Sequence, residues 1–217
     1  MDLVKAKILG SNYLGLFGIT SDSLCLLPNA VDDKTAKVAE TALGVKVVKT
    51  TIYDSSLIAV FAKINNKCLY LPKYASAREV EALEKEIKVK IINTDNALGN
   101  MLELNDTCAI VSKTLPQKVA LDIESTGLKV TQMNIGKTDA VGSSIVITNR
   151  GFLITPNATR EEYDAVEKAL GIRGGSATAN MGDALVRNSI IANKKGALVG
   201  SETSGFELNR IEEALEG

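Results

Sequence analysis

The chain has 217 residues, of which 45% are hydrophobic and 24% are charged, and its formal net charge is −1. This balance excludes a surface that is basic overall, as in proteins that bind nucleic acid mainly by neutralising phosphates. Histidine and tryptophan are absent and aromatic residues make up only 4%, so the commonest general base is missing and base-stacking platforms are scarce.

Strands are predicted where apolar residues alternate with lysine. The first such segment is 4–8, and the pattern returns at 45–47 and 89–91, with the period of two that is typical of half-buried strands. Strand-like segments at 128–135 and 172–177 occupy the corresponding place later in the chain. Lysines on the outer side of such strands are a usual device against pairing of sheet edges.

One block, a polar turn followed by apolar residues, occurs five times. The blocks begin at Ser21, Asn65, Asn105, Asn149 and Asn193, about 40 to 44 residues apart, and a period of this length indicates a repeat architecture. Because a further apolar run precedes the turn, each block is predicted to be a buried β-hairpin.

A helix is predicted after each hairpin, and its start is marked by a helix cap. Asp32 or Asp33 is the candidate cap of the first helix. The other four helices begin with capping boxes, in which a hydroxyl and a Glu or Gln side chain bind free backbone N–H groups: Ser76 with Glu79, Thr114 with Gln117, Thr159 with Glu162, and Ser204 with Glu207.

The repeating unit is therefore a hairpin, a helix and a strand. The fifth helix has no strand after it, whereas the first hairpin has a strand before it that no helix precedes. If the strand at 4–8 joins the last unit, the five units close into a ring. The predicted fold is an α/β closed ring of five ββαβ repeats, one domain over residues 1–217 with hairpins near 21, 65, 105, 149 and 193.

Residues for catalysis or for a cofactor are not found. Cys25, Cys68 and Cys108 are interpreted as reduced core thiols of a cytoplasmic protein, and no metal-binding spacing occurs. The segment 135–138 resembles the end of a phosphate-binding loop, but Thr131 stands where that loop needs glycine. No segment has the length of a membrane span. No catalytic residue, metal site or cofactor is predicted.

Several segments resemble one family. Residues 96–100 with 105–106, 141–143 with 148–151, 191–197, and Glu207-Leu208 with Ile211-Glu212 are similar to the translation initiation factor 6 family, the ribosome anti-association factors. The resemblance extends from about residue 14 to the end of the chain. It implies a pentein fold, which is an α/β propeller of five ββαβ units around a pseudo-fivefold axis, in agreement with the predicted ring.

The resemblance also implies a function. Members of the family bind the intersubunit face of the large ribosomal subunit, beside a ribosomal protein and near the sarcin–ricin loop, and thereby prevent joining of the small subunit. An elongation-factor-like GTPase and its partner protein release them. The chain lacks the tail of eukaryotic members, so it is similar to archaeal ones, and a cytoplasmic monomer without a membrane partner is expected.

Two positions depart from the family pattern. Arg187 stands where the family usually has glycine, and a charge near the ring axis needs water or a carboxylate as its partner. Cys68 stands where relatives often have glycine, which predicts an altered turn in the second repeat.

Two other functions remain open. Penteins that modify guanidino groups use a nucleophilic cysteine with a histidine, but this chain has no histidine to activate Cys25, Cys68 or Cys108. The third possibility is a ring-shaped interaction protein with another partner, because a fold alone does not determine a function.

A ribosome-binding surface is hypothesised at the hairpin turns. Repeats four and five carry Arg150, Lys194 and Lys195 beside Asn149 and Asn193, and this positive arc could bind rRNA phosphates or an acidic protein surface. The turns of repeats one and three carry Asp22 and Asp106, which are expected to face elsewhere.

Overall fold

The computed structural model describes all 217 residues and contains five three-stranded sheets. Each sheet belongs to one repeat and has an inner, a middle and an outer strand. The inner strands line the axis of the molecule and are β2 (Ile19–Thr20), β5 (Lys63–Ile64), β8 (Leu102–Leu104), β11 (Ile145–Ile147) and β14 (Ile190–Ala192).

The middle strands pair antiparallel with the inner ones, as expected for hairpins. They are β3 (Leu24–Pro28), β6 (Leu69–Pro72), β9 (Cys108–Val111), β12 (Phe152–Ile154) and β15 (Gly196–Gly200). The outer strands pair parallel with the middle ones. They are β1 (Asp2–Ala6), β4 (Lys46–Thr50), β7 (Val89–Ile92), β10 (Lys129–Gln132) and β13 (Gly174–Ser176).

One helix follows each middle strand, and the first four of these helices are the crossover connections that a parallel strand pair needs. The helices are α1 (Asp33–Leu43), α2 (Ala77–Glu84), α3 (Gln117–Glu124), α4 (Arg160–Leu170) and α5 (Gly205–Glu216). None of them combines the length and the apolar character that crossing a membrane requires.

Three of the four predicted capping boxes are present, at the starts of α2, α4 and α5. Asp32 caps α1. The predicted box at Thr114 and Gln117 is wrong, since the N-cap of α3 is Pro116. A proline disfavours helical geometry at the residue before it, so α3 starts at Gln117 and the Thr114 hydroxyl pairs instead with that of Ser112, at 2.9 Å.

A short helical turn precedes each inner strand, and we call these five segments the axial turns. They are Leu14–Leu16, Ile58–Phe61, Leu98–Met101, Val141–Ser144 and Val186–Ser189. Each axial turn contacts the next in chain order, and the last contacts the first. Their backbones approach closely: a Cβ on Gly142 would lie 2.0 Å from the Gly99 carbonyl oxygen. The contacts form a complete circle around the axis.

The N-terminal strand closes the ring, as predicted. β1 pairs with β15 in parallel over five residue pairs, from Asp2 with Gly196 to Ala6 with Gly200. It begins two residues before the predicted segment, and Ile8 lies instead in a tight loop that it closes with Ser11. The predicted ring of five ββαβ repeats is thus confirmed.

Candidate functional site

The ring has two faces, defined by the two ends of the short inner strands. The hairpin turns between inner and middle strands lie at one end, which we call the turn face. The axial turns lie at the other end, together with the loops that follow the outer strands. We call this second side the loop face.

The hairpin turns share one arrangement, in which the first residue is buried and its side chain binds two backbone amides of its own turn. These first residues are Ser21, Asn65, Asn105, Thr148 and Asn193. The predicted start of the fourth block at Asn149 is therefore one residue late. Cys68 donates its amide to Asn65 Oδ1 at 2.9 Å like its counterparts, so the predicted alteration of the second turn is wrong.

Asn193 supports the fold with its whole side-chain amide. Its Oδ1 accepts from the amides of Lys195 and Gly196, and its Nδ2 donates to the carbonyls of Ser21 and Leu43 in the first repeat. The side chain is 2% exposed. It joins the last repeat to the first.

The second residues of the turns form a hydrogen-bonded circle at the mouth of the axis. They are Asp22, Asn66, Asp106, Asn149 and Lys194. Asn149 Nδ2 donates to Asp22 and to Asp106, at 2.7 Å each, and Asn66 Nδ2 donates to the same two carboxylates. The expectation that Asp22 and Asp106 face away from the later turns is wrong, because fivefold geometry brings all five positions together.

Lys194 is the exposed member of this circle. Its backbone amide donates to Asp22 Oδ1 at 3.0 Å, and its ammonium lies 3.6 Å from Asp22 Oδ2. Burial opposes ionisation of Asp22, but hydrogen bonds from Asn149 and the Lys194 amide outweigh it, so the pKa of Asp22 lies below its usual value. The charge of Lys194 is thus partly balanced within the protein.

Arg150 and Lys195 are exposed third residues of their turns. Each donates to a backbone carbonyl at the C-terminal end of a helix: Arg150 Nε to Glu216 at 3.1 Å, and Lys195 Nζ to Gly44 at 2.8 Å. Cations are favoured there because the helix dipole places negative charge at that end. The structure brings Arg150, Lys194 and Lys195 to one face, with part of each side chain engaged in the fold.

Three charged side chains are buried below this circle, around the axis. Glu103 Oε2 accepts from Lys63 Nζ at 2.5 Å and from Arg187 Nε at 3.1 Å. Arg187 also donates to the carbonyls of Gly15, Gly18 and Ile190. Of the two partners that were expected for Arg187, water or a carboxylate, the structure shows a carboxylate. Burial, only partly offset by Glu103, lowers the pKa of Lys63 to about 8.

The cysteines lie in the core, and complete burial raises the pKa of Cys25 to about 12. A protonated, inaccessible thiol is a poor nucleophile.

The loop face carries an arc of exposed apolar side chains that the sequence analysis missed. Its members, the apolar arc, are Leu9, Tyr13, Tyr53, Leu57, Met181 and Leu185, which are between 37% and 77% exposed. They come from repeats five, one and two, which are neighbours in the ring. The same places hold Asn93 and Ala97 in repeat three and Gly136 and Ala140 in repeat four, so the face is apolar on one side only.

Three members of the arc have strained backbones. Leu9, Tyr53 and Met181 have φ values of 52°, 57° and 59°, a left-handed conformation that is rare for bulky residues. Such outliers cost about 1 to 3 kcal/mol each and cluster at functional sites. A pattern in the sequence could have indicated the arc: in three tight loops, one large apolar residue stands four positions before another. The pairs are 9 and 13, 53 and 57, and 181 and 185.

Capping-box carboxylates hold two of the strained loops. Glu79 accepts from the amides of Tyr53 and Asp54, and Glu207 accepts from those of Met181 and Gly182. Burial opposes ionisation of Glu207, but hydrogen bonds from Ser204, Thr178 and Gly182 outweigh it and lower the pKa to about 2. The same residue thus caps a helix and fixes the tip of a loop that precedes this helix in the chain.

Comparison with known proteins gives relatives over nearly the whole chain. Translation initiation factor 6 of Haloquadratum walsbyi is 34% identical over 98% of this chain and 96% of its own. The same factor of Thermococcus onnurineus is 33% identical over 99% and 98%, and that of Methanosarcina mazei is 34% identical over 96% and 95%.

Solved structures give only distant likenesses. A dimethylarginine dimethylaminohydrolase is 10% identical over 94% of this chain and 73% of its own, with a TM-score of 0.48. An agmatine deiminase of C. jejuni has a TM-score of 0.41. These likenesses carry no functional argument. The model of the eIF-6 family, by contrast, matches residues 3–214, and the chain belongs to the eIF-6 family of translation initiation factors.

Proposed function

We propose that this protein binds the large ribosomal subunit through its loop face and prevents the small subunit from joining. The observation that supports this docking surface is the apolar arc. Exposed apolar side chains contribute little to the stability of the free protein, and the left-handed backbone at three of them destabilises it. Both features are accounted for if these side chains are buried against a partner.

The chemistry of the arc favours a protein component of the subunit as the direct contact. Its six members carry no formal charge, and interface centres are depleted of charge and enriched in large residues such as Tyr and Met. A contact made mainly to rRNA phosphates would instead need Lys or Arg at its centre. The ring then acts by occupying the surface, one molecule to one subunit, without turnover.

Sedimentation of ribosomal subunits tests the function. Adding the protein to purified large and small subunits should lower the yield of joined ribosomes, and the protein should sediment with the large subunit at a ratio of one to one. Joining that is unaffected at saturating protein, or binding to the small subunit instead, contradicts the proposal.

Asparagine substitution tests the docking surface without harming the fold. In the triple variant Leu9→Asn, Tyr53→Asn, Met181→Asn, each new residue tolerates the left-handed conformation better than the residue it replaces. We expect thermal stability close to that of the unchanged protein, because relief of backbone strain at three positions offsets the loss of the edge contacts that the Tyr53 ring makes with Phe61 and Tyr74. Large-subunit affinity should fall about 100-fold or more, because a few central anchors carry most binding energy.

The turn face is the competing surface. Its matched variant is Arg150→Gln, Lys194→Gln, Lys195→Gln, which removes charge without placing a carboxylate beside Asp22. If this variant loses affinity at low salt and the asparagine variant does not, the subunit docks on the turn face, with Asn149 at the centre of the contact. Loss in neither variant would leave a ring-shaped protein with another partner as the better hypothesis.

Release by an elongation-factor-like GTPase and its partner protein completes the proposal. The affinity expected for a buried apolar contact makes spontaneous dissociation slow. Adding the GTPase pair with GTP should therefore raise the rate at which labelled protein leaves isolated large subunits, and a non-hydrolysable analogue separates binding from hydrolysis.

A further inference from the structure

A groove of about 580 Å³ lies between helix α1 and strand β1, away from both faces. One wall is a single side of α1: Lys34, Lys37, Val38, Thr41 and Ala42, spaced as one helical face requires. The other wall is Asp2, Leu3 and Val4. A volume of this size is in the range of sites that bind ligands or short segments.

The groove meets β1 at its edge. A strand that lines a cavity with one of its surfaces contributes alternate residues, because successive side chains point to opposite sides. β1 contributes three consecutive residues, so its main chain borders the groove. β1 is also the last strand of its sheet, with β15 on its other side, and half of its N–H and C=O groups have no strand partner.

The equivalent space is filled at the neighbouring junction between α5 and β13. Where α5 packs on β13, a Cβ added to Gly175 would lie 2.9 Å from the Cβ of Ala214. Helix and strand therefore touch at that junction. At the α1 junction, Val38 remains 36% exposed and Leu3 and Val4 are only half-buried, so apolar surface faces the open groove.

Lysine dominates the charge around the groove. Lys34 has no ion pair and Lys37 is paired only with Glu40 on its own helix; Lys5 follows on β1, and Asp2 is the one carboxylate that lines the groove. Like charge disfavours pairing with the β1 edge of a second copy. The lysines instead attract a strand that carries negative charge.

We propose that this groove is a binding site for an extended acidic peptide segment of a partner protein. The segment adds a fourth strand to the sheet at β1, places apolar side chains against Val38 and Ala42, and places carboxylates beside Lys34 and Lys37. Main-chain pairing supplies affinity and the side-chain sites supply specificity, as in other strand-addition complexes. The site is separate from the loop face, so it is independent of ribosome binding.

The probe is an octapeptide that alternates valine with glutamate and has blocked ends. Titration into the full-length protein at low salt should shift the amide resonances of residues 2–6 and 34–42 and slow hydrogen exchange at the outer edge of β1. Two control peptides separate the contributions: one with lysine in place of glutamate, and one with alternate amides N-methylated along one edge. Both should bind at least about tenfold more weakly.

Variants of the protein locate the site. Lys34→Glu with Lys37→Glu should weaken binding at least about tenfold at low salt, and Val38→Glu should weaken it as well. Lys118→Glu on α3 is the matched charge reversal and should have no effect. Equal binding of the N-methylated peptide, equal binding of the lysine peptide, or resonance shifts confined to other parts of the ring would overturn the proposal. Large-subunit binding should be unchanged in the double variant.

Discussion

Glu103 is the carboxylate on which the buried charge at the axis depends. It is 6% exposed and accepts from two cations, Lys63 and Arg187. Glu103→Gln leaves both cations without a counter-charge, which costs about 3 to 5 kcal/mol in buried ion pairs. Urea denaturation at pH 7 should show a loss of unfolding free energy of that size, or failure to fold.

Lys63→Met is the matched substitution with the opposite expectation. It removes the surplus cation and leaves Arg187 paired with Glu103, so the free energy of unfolding at pH 7 should stay level or rise by about 1 to 3 kcal/mol. A loss comparable to that of Glu103→Gln would contradict this account of the axis.

The pH dependence follows from the lowered pKa of Lys63. Below pH 8 the group is charged in both the folded and the unfolded protein, and the cost of burying it is present in full. Between pH 8 and 10.5, the usual pKa of a lysine side chain, the unfolded chain binds more protons than the folded protein, so the stability contributed by this group rises with pH. The stability advantage of Lys63→Met should shrink across this window.

Glu207 gives a second prediction, in which stability again rises with pH, but in the acid range. Its lowered pKa stabilises the folded protein above pH 4.5, and this contribution is lost as the pH falls towards 2. Glu207→Gln should lower the free energy of unfolding at pH 7 by on the order of 2 to 3 kcal/mol, with the deficit disappearing at acid pH. Glu202→Gln, at a nearby exposed residue, is the control and should change little.

Residue-scale features were only partly predictable from the sequence. The need of Arg187 for a partner follows from its place near the axis. Lys63 and Glu103, however, lie in repeats two and three and meet Arg187 only after the ring closes. Likewise, Asp22 and Asp106 stand far apart in the chain and bind the same amides of Asn66 and Asn149.

At the scale of elements, a helix start could be predicted where a Ser or Thr stands three residues before a Glu and no proline lies between them. Thr159 forms the predicted box with Glu162, whereas Pro116 prevents the predicted box at Thr114. Thr159→Ala should lower the denaturation midpoint in urea by an amount equivalent to about 1 kcal/mol. Thr114→Ala is the control, and an equal loss there would contradict the assigned caps.

A sequence repeat does not by itself determine which residue is the first of each hairpin turn. The sequence repeat aligns Asn149 with the first residues of the other turns because it is an asparagine, as three of them are. In the structure the hydroxyl of Thr148 performs that role. With Thr148 as the first residue, Gly142 stands six positions before its turn, as Gly15, Ala59, Gly99 and Arg187 do before theirs.

At the scale of the whole molecule, closure decides which residues become neighbours. The order of units and the unpaired N-terminal strand were sufficient to predict the ring. The apolar arc was not predictable in the same way, because it joins repeat five to repeats one and two across the closure. In addition, three of its residues adopt a left-handed backbone against their own conformational preference. A sequence pattern indicates only the preferred conformation, so it does not predict these positions.

Closure also makes the first strand a structural requirement. Removing residues 1–9 would delete β1, its five residue pairs with β15, and the side chain of Ile8, which is fully buried. The fifth sheet would then expose β15 as an unpaired edge and open the core it shares with α1. We expect the shortened protein to aggregate or to melt well below the full chain. A synthetic peptide of residues 1–9, added during refolding, should restore part of the lost thermal stability by occupying the same edge. A shortened protein that melts like the full chain would show that the ring does not depend on this strand.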